Sequence, residues 1–252
     1  MGHLRLLAIA VLANILIASA ATEEQTTHHL PHRRVAVVIA DGFYLIDAMG
    51  PLDVFRAAQL QAYLYVNLTS HEWRPGVPGG IVADGTLSVD LIAPSTSPVK
   101  ASDGVIVTPD KRVPGANETS PYDLVVIPAS ADTPEIRAFV KAHHARGGAL
   151  MSVCTGARLL ADLGLLDGLD ATSNSLLLWD LRGKYPNVRW ISLRDNTGRR
   201  FVVSQPPLRI VTTAGVTAGT DGALHILGEW LGRPVAEATR EFIEDALPLE
   251  GS

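Results

Sequence analysis

Cysteine is all but missing from this chain: Cys154 stands alone among 252 residues. One thiol excludes any intrachain disulfide, so the fold has no covalent staple. Concentrated positive charge is missing too. The formal net charge is −5, and Arg199-Arg200 and His143-His144 are isolated pairs. Phosphate binding needs a clustered basic surface, so nucleic acid is not expected as a partner. Beyond the N-terminal segment no apolar run is long enough for a transmembrane helix. No spaced His/Cys cluster offers a zinc site, no internal repeat is evident, and no charge block marks a tail.

What is present begins with an N-terminus suited to export. Met1-Gly2-His3-Leu4-Arg5 is a short basic start, and Leu6 to Ile17 is almost wholly apolar. Ala18-Ser19-Ala20 then supplies the small residues that a signal peptidase reads. The run is short for a bilayer, and Asn14 interrupts it. We therefore expect a cleaved signal peptide over 1–20, a flexible leader over 21–32, a folded domain over 33–246 and a tail over 247–252. No stable membrane insertion is expected once the signal is removed. Export makes the solitary cysteine informative. An unpaired thiol in an oxidising compartment either bridges two chains or stays free for its reactivity. Asn67-Leu68-Thr69 and Asn117-Glu118-Thr119 make Asn67 and Asn117 candidate glycosylation sites in a host that glycosylates.

The remaining length suits one large α/β domain or two small ones. Arg33 to Ala40 is a basic start followed by an unbroken apolar run, as in a strand covered on both faces. A helical pattern runs from Asp47 to Gln61, and short strands are expected at Val89–Ala93, Val105–Val107 and Asp123–Pro128. Pro134 to Arg146 reads as a helix ended by Gly147-Gly148, and Ala149 to Val153 as the next strand. Leu159–Leu166 and Leu176–Lys184 read as helices, Val188–Ser192 as extended and Arg209–Thr213 as a strand. Ala218–Leu231 and Val235–Ala246 are the closing helices. Strands alternating with helices call for a mostly parallel sheet with helices on both faces. Residues 63–88, rich in Gly and Pro, read as a surface insertion or hairpin.

The Ala149–Val153 run stops at Cys154, and a helical pattern starts immediately after it. A strand–turn–helix with a thiol at its apex is the geometry of a nucleophile elbow. There the sulfur lies near a helix N-terminus, whose free N–H groups and dipole favour the thiolate. The same N–H groups can stabilise charge developing on a substrate. An inert, buried cysteine at a strand end fits the local pattern equally well.

Three blocks in register extend this reading. The first runs from Asp41-Gly42-Phe43 through Asp47-Ala48-Met49-Gly50-Pro51 to Phe55. The second is Val153-Cys154-Thr155-Gly156-Ala157, continuing to Gly164-Leu165-Leu166-Asp167-Gly168. The third is Thr212-Thr213-Ala214-Gly215-Val216-Thr217-Ala218-Gly219-Thr220-Asp221-Gly222-Ala223-Leu224-His225. Together they resemble the ThiJ/PfpI superfamily, whose fold is that of class I glutamine amidotransferase domains. Their order and spacing are similar to the branch of isonitrile hydratases and the sensor halves of AraC-type regulators. The resemblance spans Arg33 to Glu244 apart from the insertion. It implies an α/β, doubly wound, flavodoxin-like sandwich with a cysteine nucleophile elbow, no cofactor, a small-molecule substrate or ligand, and a homodimer.

The resemblance also implies site residues. An acid after the first strand reaches the elbow cysteine in this family, and Asp47 stands at that position. A carboxyl group there can hydrogen-bond the sulfur and shuttle protons; capping its own helix is the other role open to it. Asp53, further along, reads as solvated. The Thr155 N–H is an oxyanion donor by elbow geometry, and its place, histidine in the protease-like branch, speaks against peptide hydrolysis. Gly50 and Gly156 read as allowing close backbone approach near the sulfur. Asn174 stands where related sequences often carry histidine, and with Ser175 it is expected to line the pocket. Asparagine hydrogen-bonds but does not exchange protons near neutrality, which counts against glyoxalase chemistry. His225 and Glu229 lie four apart and read as a helix-face pair rather than a metal site. Gly215, Gly219 and Gly222 read as turn and packing glycines rather than a dinucleotide motif.

Three functions stay open at this point. The first is an exported, cofactor-free hydro-lyase in which Cys154 attacks a small isonitrile and Asp47 manages the proton. The second is a non-catalytic ligand-binding or thiol-based oxidative-stress-sensing domain. The third is a glyoxalase or deglycase.

Overall fold

The computed structural model describes residues 31–61, 64–67, 72–75, 86–194, 199–205 and 209–245. The expected signal peptide, nearly all of the leader and the tail lie outside the described residues.

β1 (Arg33–Val38) is the apolar run noted above, and Val35 to Val38 are fully buried because both faces of the strand are covered. α1 (Leu45–Gln61) follows it. β2 (Leu64–Asn67) and β3 (Glu72–Pro75) form an antiparallel hairpin within the insertion. β4 (Leu87–Ala93) returns to the core. The insertion is shorter than expected, since Leu87 and Ser88 already pair with Arg33 and Arg34 of β1. β5 (Val99–Lys100), β6 (Ile106–Val107) and β7 (Lys111–Arg112) are two-residue strands before β8 (Leu124–Ile127). α2 (Pro134–Ala145) starts with Thr133 as cap, its hydroxyl accepting from Ile136 N–H at 3.3 Å, and with Pro134 in the first turn. β9 (Ala149–Val153) runs into a 3-10 turn, Cys154–Gly156, and then α3 (Ala157–Asp162). β10 (Asp170–Thr172), α4 (Leu178–Lys184), β11 (Arg189–Ile191), β12 (Phe201–Ser204) and β13 (Ile210–Thr213) come next. α5 (Ala218–Leu231) and α6 (Arg233–Phe242) complete the described chain.

The main sheet has the order β12-β13-β9-β8-β1-β4-β7. Every pairing in it is parallel except β12 with β13. Taken in chain order, β1, β4, β8, β9 and β13 stand second, first, third, fourth and fifth across the sheet, which is the flavodoxin-like arrangement. β1 to β4 steps one way along the sheet and β8 to β9 the other. Right-handed crossovers therefore put α1 and α2 on opposite faces. α1, α5 and α6 pack together on one of them.

Local differences from the expected elements have local causes. Ile106–Val107 pairs with β5 rather than the main sheet, and Ile106 is 67% exposed. β11 pairs with β10 instead of joining the sheet. The helix after the elbow starts at Ala157 and stops at Asp162, short of Leu166, because the chain turns through Gly164 at φ +71 and Gly168 at φ +75. β12 forms an edge strand that the sequence pattern did not suggest.

Candidate active site

Open parallel sheets bind ligands beyond their C-terminal strand ends, where the order of connections reverses. Here the reversal lies between β1 and β8. Asp47 follows the end of β1, Ala129 the end of β8 and Cys154 the end of β9.

Cys154 takes φ +55, a left-handed conformation that costs a non-glycine residue about 1–3 kcal/mol. Its surroundings hold it there. The Ser173 hydroxyl donates to the Cys154 carbonyl at 2.8 Å, and a Cβ on Gly156 would stand 2.1 Å from the Ile127 carbonyl oxygen. The turn after the cysteine thus rests directly on the end of β8, which requires glycine at 156. Gly50 is a different case: a Cβ added there would approach the Thr220 hydroxyl at 3.2 Å, so what it permits is close packing of α1 on α5. Gly222 brings α5 against β9 and β13 in the same way, with Thr213 Cγ2 only 2.6 Å from an added Cβ.

Asp47 is fully buried in the first turn of α1. It is not the helix cap, because the helix already begins at Leu45. Its Oδ2 accepts from the Ala129 N–H at 3.2 Å, and its Oδ1 is sealed from solvent with no fixed donor. Pro51, four residues on, has no N–H to offer the Asp47 carbonyl. Burial lifts the carboxyl pKa to about 6, against the pull of the Ala129 N–H and of the Cys154 thiol. The Cys154 thiol is the side chain that couples to this acid.

Cys154 is only 8% exposed. Burial pushes its thiol above the ordinary range, and the Asp47 charge pushes it further. The Asn174 amide and the Thr155 N–H oppose both. The thiolate expected from a helix terminus is therefore not the resting form. A 3-10 turn and a six-residue helix align few peptide dipoles, while a carboxylate lies beside the sulfur.

Asn174 Nδ2 lies 3.5 Å from the sulfur. Its Oδ1 accepts from Leu176 N–H at 3.0 Å, and its carbonyl accepts from Leu177 N–H at 2.9 Å. With the oxygen engaged, the NH2 must face the sulfur. Ser175 is half-buried in the same turn, and Thr155 is half-buried beside the elbow. A cavity of about 450 Å³ opens beside the elbow, walled by Thr155, Gly156, Ser130, Arg158, Leu177 and Leu181 among others; Asn174 and Ser175, expected to line the pocket, are not among its walls. Ser130 and Arg158 were not anticipated. Ser130 takes φ +63 in the loop after β8, which nothing in its own letter signals, and Arg158 reads as an ordinary surface charge.

The structure separates the other candidates from this site. The His225 ring packs on Phe201 at 4.8 Å, and among the described residues no group of three or more His, Cys, Asp or Glu could hold a metal. Asp53 is exposed, as is Asn117 in its turn; Asn67 ends β2, and its side chain lies outside the described residues. No described helix is long and apolar enough to cross a membrane.

Fold and site together define an α/β domain with a cysteine elbow. Residues 33–229 match the DJ-1/PfpI family, and the chain belongs to it. It is 34% identical over 151 residues to an uncharacterised protein from the cpoL 5′ region of Streptomyces lividans, covering 57% of this chain and 88% of that one. It is 31% identical over 149 residues to the HTH-type transcriptional regulator GbdR of Pseudomonas aeruginosa, of whose length it spans only 37% and of its own 57%. An isonitrile hydratase of Pseudomonas putida is 25% identical over 166 residues, 64% of this chain and 67% of that protein. Among solved structures, Drosophila melanogaster DJ-1beta superposes with a TM-score of 0.64 at 18% identity, covering 86% of this chain and all of that one. The family thus includes both enzymes and regulators.

Proposed function

We propose that this protein is an exported thiol enzyme that hydrates a small electrophile, an isonitrile giving an N-substituted formamide. The observation that carries this is the buried pair of Asp47 and Cys154, each shifting the other's proton affinity, with the Asn174 amide on the sulfur. Near neutral pH the acid is mostly ionised and the thiol protonated, so Asp47 acts as the general base. As the sulfur bonds to the terminal carbon of R–N≡C, the thiol proton passes through Asp47 to that carbon, leaving R–N=CH–S on Cys154. Water then adds to the same carbon; one of its protons goes to nitrogen and the other returns to sulfur as the C–S bond breaks. R–NH–CHO leaves, and thiol and carboxylate are restored. The N–H of Thr155 lies at the elbow to meet charge developing in the addition.

No step needs a cofactor. We further propose a homodimer: Tyr44, Ile46, Leu176 and Trp179, exposed by 46%, 46%, 64% and 73%, flank Asp47 and Asn174 in the chain and offer an apolar rim for a second copy. Steady-state turnover of small alkyl isonitriles, followed by formamide release, tests the reading. Turnover lost in Cys154→Ala supports it, and turnover that survives overturns it. Ligand sensing is the second reading, favoured by the regulator relative. Peroxide sensing fits less well, because the sulfur is buried and its thiol form favoured.

A further inference from the structure

The end of the sheet remote from Cys154 holds a second cavity, of about 510 Å³. The parallel strands begin there: Arg33 opens β1, Asp123 precedes β8, Ala149 opens β9 and Arg209 precedes β13. β9 is five residues long, so roughly 16 Å of strand separates this cavity from the elbow.

Three guanidinium groups line it, those of Arg33, Arg146 and Arg209, and their partners decide what they can do. Arg146 donates to the carbonyls of Glu118 and Ala116, each at 3.0 Å. Arg209 Nη2 donates to the His144 carbonyl at 2.8 Å. Neutral carbonyls fix these two groups in place without cancelling their charge. Among the described residues only Arg33 of the three meets a carboxylate, Asp123 at 3.5 Å, and its guanidinium lies 5.1 Å over the Trp230 ring. Asp123 also accepts from the Arg34 N–H at 2.8 Å, so that acid is already engaged twice. The Nε atoms of Arg33 and Arg209 are buried with no acceptor, although buried donors as a rule find one. The remaining acid on the wall, Glu229, is exposed to solvent. His144 reports the resulting field: after burial, the Arg209 charge is what holds its pKa below the usual value.

We propose that this cavity binds a small oxyanion, the phosphate or carboxylate group of a low-molecular-weight ligand, on Arg146 and Arg209 with Arg33 behind them. Planar guanidinium forks suit both head groups, and their anchoring to main-chain carbonyls lowers the ordering cost of binding. The site is independent of the thiol chemistry at the other end of the strands.

Calorimetric titration of the full chain with inorganic phosphate and, separately, with succinate at constant ionic strength tests this. Saturable one-to-one binding is expected, and the tighter anion identifies the head group. Arg209→Gln weakens that binding about tenfold, the loss of one charge-assisted hydrogen bond. Glu229→Gln tightens it severalfold by removing a like charge, a gain that a damaged fold does not produce. Absence of saturable heat with both anions, or an affinity indifferent to both substitutions, overturns the proposal.

Discussion

Where β1, β8 and β9 end, the protein buries an acid beside a thiol, and their other partners are uncharged: the Ala129 N–H, the Thr155 N–H and the Asn174 amide. Where the same strands begin, it gathers three arginines around a cavity. A carboxyl group without a cation beside it keeps a high proton affinity, so the first end is suited to moving protons. A guanidinium held by carbonyls keeps its charge, so the second is suited to holding an anion. In the proposed roles, one sheet keeps proton transfer and anion binding apart.

The two ends of the sheet differ most at the sulfur. Cys154→Ala should reduce hydration by at least about ten-thousandfold, as removing a covalent nucleophile does elsewhere, while the circular dichroism spectrum stays unchanged. Asp47→Asn should cost the proposed hydration about a thousandfold, the usual worth of general acid–base catalysis, and should abolish the rise of kcat/KM expected across pH 6 as Asp47 ionises in the parent protein. The same substitution should stabilise the fold. The folded carboxyl titrates near 6 against 3.8 in its ordinary state, so the native protein holds its proton more tightly than the unfolded chain. Ionisation therefore destabilises the native state as pH rises from about 4 to 6, by up to about 3 kcal/mol. Urea melts should show Asp47→Asn more stable at pH 7 and equal to the parent at pH 3.5, roughly below both pKa values. Gly156→Ala, which drives a methyl group into the Ile127 carbonyl, should lower stability by about 3 kcal/mol. Asn174→Ala should have the smallest effect, about tenfold in rate at neutral pH with the thiol pKa raised, since one weak donor to sulfur is lost.

Much of the fold was legible because periodicity and punctuation agreed. The unbroken apolar runs at β1, β8 and β9 left a parallel sheet as their natural home, and Gly147-Gly148 marked where α2 yields to β9. β12 escaped notice because an edge strand of four residues has too few letters to show a period. At the site, Cys154 was legible as the apex of a strand–turn–helix and Asp47 through block resemblance, and the two couple in the structure. The protonation of the sulfur was not legible. It depends on how many shells cover Cys154 and on the Asp47 charge, neither of which is local in sequence. The arginine cavity was hidden for the same reason: Arg33, Arg146 and Arg209 meet only because parallel register aligns the starts of β1, β9 and β13.

Acid and thiol set each other's proton affinity, and the pH dependence of Cys154 alkylation by iodoacetamide, compared between the parent protein and Asp47→Asn, reads that coupling. The thiol pKa should lie above the ordinary cysteine value in the parent and lower in Asp47→Asn, so that the variant alkylates faster at neutral pH while hydrating more slowly. A parent thiol already ionised at neutrality, or a pKa that does not move when Asp47 loses its charge, would contradict it.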